Sequence, residues 1–190
     1  LATNLPEKVV VEMEVLGPRW TIADQLTLYA NGIPILEKNF TSAQDKILKA
    51  NLRHVMDRPK HDLYLVAIAT GPGVTKPYWE IPRPYQHKTN KYVPCALGAT
   101  NPVWLDGDGD GLFTFPNGYA RELVEQTNGD LEKMVKVLAN YDQSITAQAA
   151  GILSEGGLKL DGKEAKAKWE KASAPSIRLG FSSFLETLKK

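Results

Sequence analysis

The sequence predicts a mostly β region followed by a helical one. Three observations carry that prediction: apolar alternation and a hairpin dipeptide in the first half, a 3.6-residue apolar period after Pro116, and an acidic run at the junction. The junction is Asp106-Gly107-Asp108-Gly109-Asp110-Gly111.

The first strand is Lys8 to Val15, where Val9, Val11, Met13 and Val15 share one face and Glu12 and Glu14 the other. Gly17-Pro18 ends it. Two further strands, Gln25 to Ala30 and Ile33 to Lys38, flank Asn31-Gly32. Both positions of that pair accept positive φ, as a two-residue hairpin turn requires. Pro34 has no N–H to donate and places the second strand at a sheet edge. Lys46 to Val55 fits helix or strand by period; its place between strands favours strand. Asp62 to Thr70 is nearly all apolar and reads as a central strand buried on both faces. The prolines between Pro72 and Pro94 exclude regular structure there and imply a long surface loop. A last strand ends in Pro102-Val103-Trp104-Leu105.

Helices follow. Tyr119, Leu123 and Val124 share a face up to Asn128-Gly129, a C-cap pair. Asp130 and Asp142 are N-caps for helices carrying Leu131, Met134, Val135 and Leu138, then Ile145, Ala149, Ile152 and Leu153. Gly156-Gly157 ends the third. Trp169 anchors a charged helix over Lys163 to Ala172, and Pro175 breaks it. Phe181, Phe184, Leu185 and Leu188 give a last amphipathic helix. Strands joined by hairpin signals, with no helix between them, suggest an immunoglobulin/fibronectin-like β-sandwich over 1–105. A metal-binding loop at 106–117 and a small helical C-terminal unit at 118–190 complete the expected organisation.

Three aspartates at i, i+2 and i+4 concentrate negative charge that a hard cation relieves, and D-x-D-x-D-G is the opening of a calcium loop. In that pattern Asp106, Asp108 and Asp110 supply carboxylates, Leu112 a carbonyl and Thr114 the ninth position. The twelfth position should be an acid but is Asn117, so Glu122, if the chain curls back, or water is the expected replacement. The expected cofactor is Ca²⁺ in a structural role; the competing reading is a solvated Asp-Gly turn.

Other chemistry is weakly signalled. His54, His61 and His87 lie apart, without the ligand spacing of a zinc site. No phosphate-binding glycine motif or nucleophile elbow occurs. Cys95 reads as a small buried residue rather than a nucleophile. Tyr78, Trp79, Tyr85 and Tyr92 on the proline-rich loop suit either sugar stacking or packing of the loop. A net charge of +1 over 190 residues gives no argument for nucleic acid or an anionic membrane. No apolar run is long enough to span a bilayer. The start at Leu1, inside linker-like sequence, suggests a fragment of a longer protein.

Three phrases together carry a resemblance: Leu28 to Gly32, His61 to Gly73, and Ala99 to Gly111. They resemble the C-terminal region of bacterial metallohydrolases with a polymerase-and-histidinol-phosphatase (PHP) domain, the group that includes carbamate-insecticide hydrolases. The resemblance spans about residues 8–155. It implies a β-sandwich that follows a catalytic domain of the same parent chain. The H-x-H metal ligands of that domain have no counterpart here, so no catalytic residue carries over. The expectation is therefore a non-catalytic accessory domain of a larger metal-dependent hydrolase. Its expected partner is that catalytic domain, and its expected location is extracytoplasmic, where calcium is plentiful. The alternative is a carbohydrate-binding module using the Tyr/Trp loop.

Overall fold

The computed structural model describes residues 1–41, 46–72 and 95–189. Among them the chain is mixed α/β, with antiparallel sheets and five helices. In chain order the strands are β1 (Lys8–Leu16), β2 (Gln25–Ala30), β3 (Ile33–Asn39), β4 (Leu48–Asp57), β5 (Leu63–Gly71), β6 (Ala96–Ala99) and β7 (Val103–Leu105). The helices are α1 (Pro116–Thr127), α2 (Leu131–Leu138), α3 (Gln143–Glu155), α4 (Lys163–Glu170) and α5 (Pro175–Thr187). Two compact units emerge. One comprises Pro6–Arg58 and Tyr64–Val103; the other comprises Leu1–Leu5, Pro59–Leu63 and Trp104–Lys190. The helical unit thus recruits two short segments from the β half, which a linear division at residue 105 does not anticipate.

In the β unit, β1 pairs with β4 in one sheet. A second sheet runs β3-β2-β5-β6, and β7 also pairs with β5. Alternation on β1 buries Val9, Met13 and Val15 and leaves Lys8, Val10, Glu12, Glu14 and Leu16 exposed. The ambiguous 46–55 segment is strand β4, in register with β1 from Lys8↔Asp57 to Leu16↔Leu48. The β2–β3 hairpin turns on Asn31 (φ 48°) and Gly32 (φ 82°), the left-handed pair that the dipeptide implies. Asn31 Oδ1 accepts the Tyr64 N–H at 3.1 Å, which ties the turn to β5. β3 is an edge strand, the position where a sheet tolerates a proline such as Pro34.

One expectation fails on β5. It is central, between β2 and β6, but it is not buried on both faces. Leu63, Leu65 and Ala67 are buried while Tyr64, Val66 and Ile68 are half-buried. Its composition is that of a two-faced core strand because the second face carries medium-sized apolar groups at partial exposure.

The helical unit has its own core. Met134, Leu138, Ile145, Ala149 and Phe181 are fully enclosed, and Trp169 stacks on Phe181 with ring centroids 5.6 Å apart. Caps set the helix limits. Asp130 accepts the Lys133 N–H and Asp142 the Ile145 N–H. Asn128 in the left-handed region closes α1. Asp130 is held below the usual carboxylate range, first by its bond from the Lys133 N–H. Two details differ from expectation. Pro175 opens α5 at its first turn, where a missing N–H is harmless, rather than merely ending α4. Leu188 is exposed, and Ile177 takes its place in the core.

Phe181→Ala is expected to cost about 3–5 kcal/mol, because it removes a ring and leaves a cavity in a close-packed core. Leu179→Ala on the exposed side of the same helix should change stability by less than about 0.5 kcal/mol. Urea denaturation of the two variants checks both; equal losses would contradict the assigned core.

Candidate metal centre

The loop after β7 is built by backbone donors folding around carboxylates. Its start is fixed by the N-terminal segment: Ala2 N–H donates to Trp104 O at 2.8 Å, and Asp106 N–H donates to Ala2 O at 2.9 Å. Asp106 then turns inward and is 1% exposed. Its Oδ1 accepts the Gly109 N–H at 2.7 Å and its Oδ2 the Gly111 N–H at 3.1 Å. That wrapping needs φ of +84° at both Gly109 and Gly111, which explains glycine at those places. A Cβ on Gly107 would stand 2.0 Å from the His61 carbonyl oxygen, so only glycine lets the loop lie against residue 61.

The residue next to His61 completes the arrangement. Asp62 is fully buried. Its Oδ1 accepts the Gly107 N–H at 2.8 Å and its Oδ2 the Thr114 N–H at 2.7 Å, so one side chain grips both ends of the loop. The Asp62 N–H donates to the Tyr119 hydroxyl at 3.1 Å, and that hydroxyl donates to Asp108 Oδ2 at 2.6 Å. Tyr119 on α1 therefore links the segment before β5 to the loop. Burial, reinforced by the Asp108 hydrogen bond, pushes its phenol far above the usual tyrosine range. The neighbouring Tyr141 is also raised, by burial and then by the carboxylates of Glu122 and Asp108.

Carboxylate oxygens of Asp62, Asp106 and Asp108 all lie within 4.8 Å of one another. This group overlaps the loop reading without matching it. Asp106 and Asp108 belong to both. Asp62, 44 residues before Asp106 in the sequence, is the member that sequence reasoning missed. Asp110 is exposed, accepts the Leu112 N–H at its Oδ1 at 2.7 Å in a local turn, and is not a member of the group. Leu112 is 69% exposed. Thr114 contributes its backbone N–H to Asp62. Glu122 lies exposed on α1, outside the three-carboxylate group. Tyr78, Trp79, Tyr85 and Tyr92, the sugar-stacking candidates, lie outside the described residues, as does His87. Cys95, expected to be buried, is exposed.

His61 sits beside the group. Its Nε2 is 3.1 Å from Asp142 Oδ2, the carboxylate that also caps α3, and its ring lies against Tyr119 and Tyr141 at centroid distances of 6.0 and 5.6 Å. Its Nδ1 is buried with no hydrogen-bond partner.

The donor set suits a hard cation. Three aspartates present oxygen only, the ligand that Ca²⁺ and Mg²⁺ prefer. Twice a Ca–O distance is about 4.6–5.2 Å, so oxygens at this spacing reach one ion without rebuilding the loop. A carboxylate has about four lone-pair positions. Asp62 and Asp106 each accept one loop amide at each oxygen. No family model matches this chain, and no curated protein or solved structure matches it either.

The raised phenol makes a pH prediction. A tyrosine whose folded-state pKa exceeds its unfolded one stabilises the fold fully below the unfolded value, near 10, and that contribution is lost as pH rises toward the folded value. Unfolding free energy should fall on titration above about pH 10, and Tyr119→Phe should flatten that fall. An identical alkaline slope in the two proteins would contradict the assigned hydrogen bonds.

Proposed function

We propose that this chain is a non-catalytic accessory region of a larger metal-dependent hydrolase, with a structural Ca²⁺ held by Asp62, Asp106 and Asp108. The observation that carries the cation reading is the convergence of these three carboxylates on one point, two of them buried and gripped by loop amides. Buried anions are costly unless compensated. Loop N–H groups supply part of that compensation, and a divalent ion supplies the rest. The remaining ligands come from backbone carbonyls and water, as in weak extracellular calcium sites. An ion there ties the 59–63 segment to the 104–119 segment within the helical unit, which is a clamp rather than a reaction centre.

The accessory reading rests on the resemblance of the three phrases to the region that follows a PHP-type catalytic domain. It also rests on how the carboxylates are used: those engaged by backbone amides build a loop and leave little room for substrate at the ion. The β unit is read as a sandwich of immunoglobulin/fibronectin type; its two antiparallel sheets, β1-β4 and β3-β2-β5-β6, support this. An extracytoplasmic location follows from the same reading, since calcium there keeps weak sites filled.

Calorimetric titration with Ca²⁺ should give about one site per chain, and Asp106→Asn should abolish the heat. At a Ca²⁺ concentration of about 100 Kd the folded state gains about 2.7 kcal/mol, which for a chain of this size raises Tm by about 5–10 °C. A melting curve unchanged by calcium or chelator overturns the cation reading. Hydrolysis of ester or phosphate substrates by this chain alone overturns the non-catalytic one.

A further inference from the structure

The end of the β1–β4 ribbon carries the least explained group of side chains in the β unit. Four large apolar residues stand exposed there: Leu16 at 63%, Ile47 at 60%, Trp20 at 44% and Leu48 at 43%. They are neighbours by construction. Leu16 and Leu48 are cross-strand partners, and Gly17 N–H donates to Ile47 O at 3.0 Å. The turn that carries Trp20 closes by Thr21 N–H to Pro18 O at 3.0 Å. It is held to β4 by Lys49, whose Nζ donates to Arg19 O at 3.2 Å. Isolated exposed apolar side chains are ordinary, but four at one strand end form a patch.

Two cations share that end. Arg19 and Lys46 are both exposed, and they flank Trp20 and Ile47 in sequence. The outward-facing acids of β1, Glu12 and Glu14, lie further back along the strand. Asp45 precedes Lys46 in the sequence and sets one negative charge against these two.

We propose that this ribbon end is an interfacial anchor that docks on a bilayer containing acidic phospholipid. Patch size favours lipid over a protein partner. Four partly exposed side chains offer on the order of a few hundred Å², below the roughly 800 Å² per partner of a stable protein interface. A bilayer needs less matched area. Leucine and isoleucine enter the acyl boundary, tryptophan rests at headgroup level, and basic side chains meet anionic headgroups. The cation site plays no part in this inference, and a chelator in the assay separates the two.

The test is co-sedimentation of the whole chain with phosphatidylcholine vesicles, with and without phosphatidylglycerol, in EDTA. Partitioning onto acidic vesicles should exceed that onto neutral ones by about tenfold and weaken as salt rises. Tryptophan emission should shift to the blue on binding, and Trp20→Phe should remove that shift. Leu16→Ser/Ile47→Ser and, separately, Arg19→Glu/Lys46→Glu should each lower partitioning at least about tenfold, with far-UV spectra and melting curves unchanged. All four sites are exposed, so the variants should fold. Absence of wild-type binding to acidic vesicles overturns the proposal, as does equal binding by the Leu16→Ser/Ile47→Ser protein. So does self-association of the wild type that the same substitutions abolish, because the patch is then an interface between copies.

Discussion

The carboxylate of Asp62 constrains the candidate site more than any other group. It is fully buried, and its two oxygens hold the amides of Gly107 and Thr114. An aspartate so placed has lost bulk water and gains hydrogen bonds from groups that would themselves be orphaned without it. Removing it takes the acceptor from two loop amides at once. Between those two amides the loop wraps Asp106.

From that anchor the local rules follow in sequence. Gly107 is small enough to pass the His61 carbonyl. Gly109 and Gly111 adopt the left-handed backbone that brings their amides round to Asp106. The chain then enters α1 through Pro116, already shaped for a first helical turn. One turn into α1, Tyr119 returns to touch Asp62 and Asp108. The helix and the loop therefore hold each other in place. The core of Met134, Leu138, Ile145 and Phe181 keeps that helix where the hydroxyl is needed. Negative charge gathered this way is costly; the loop amides share it, and the proposed cation would share it further.

What the sequence disclosed was local. Asn31-Gly32 declared the hairpin, Asp130 and Asp142 declared their helices, and the Asp-Gly run declared a folded loop, because each depends on neighbours within a few positions. Asp62 stayed hidden, since nothing about an acid ahead of an apolar strand says that it will meet residues 107 and 114. The loop template likewise favoured Asp110 and Glu122. That template draws its ligands from one stretch of chain, whereas the three carboxylates that lie close together include Asp62 from another. The two-faced reading of β5 and the anchoring role of Leu188 failed for a related reason. Apolarity reports what can be buried, and packing decides how much is.

In the function proposed above, a chain that accompanies a hydrolase holds a structural cation at Asp62, Asp106 and Asp108. The most direct measurement is terbium luminescence, since Tb³⁺ takes oxygen sites of the calcium type and is sensitised by nearby aromatic rings. Tyr119 places its hydroxyl 2.6 Å from Asp108, close enough to act as donor. The account predicts saturable Tb³⁺ emission excited through tyrosine, displaced by Ca²⁺ and abolished by Asp106→Asn. Emission no greater than that of free Tb³⁺, or emission indifferent to that substitution, would contradict it.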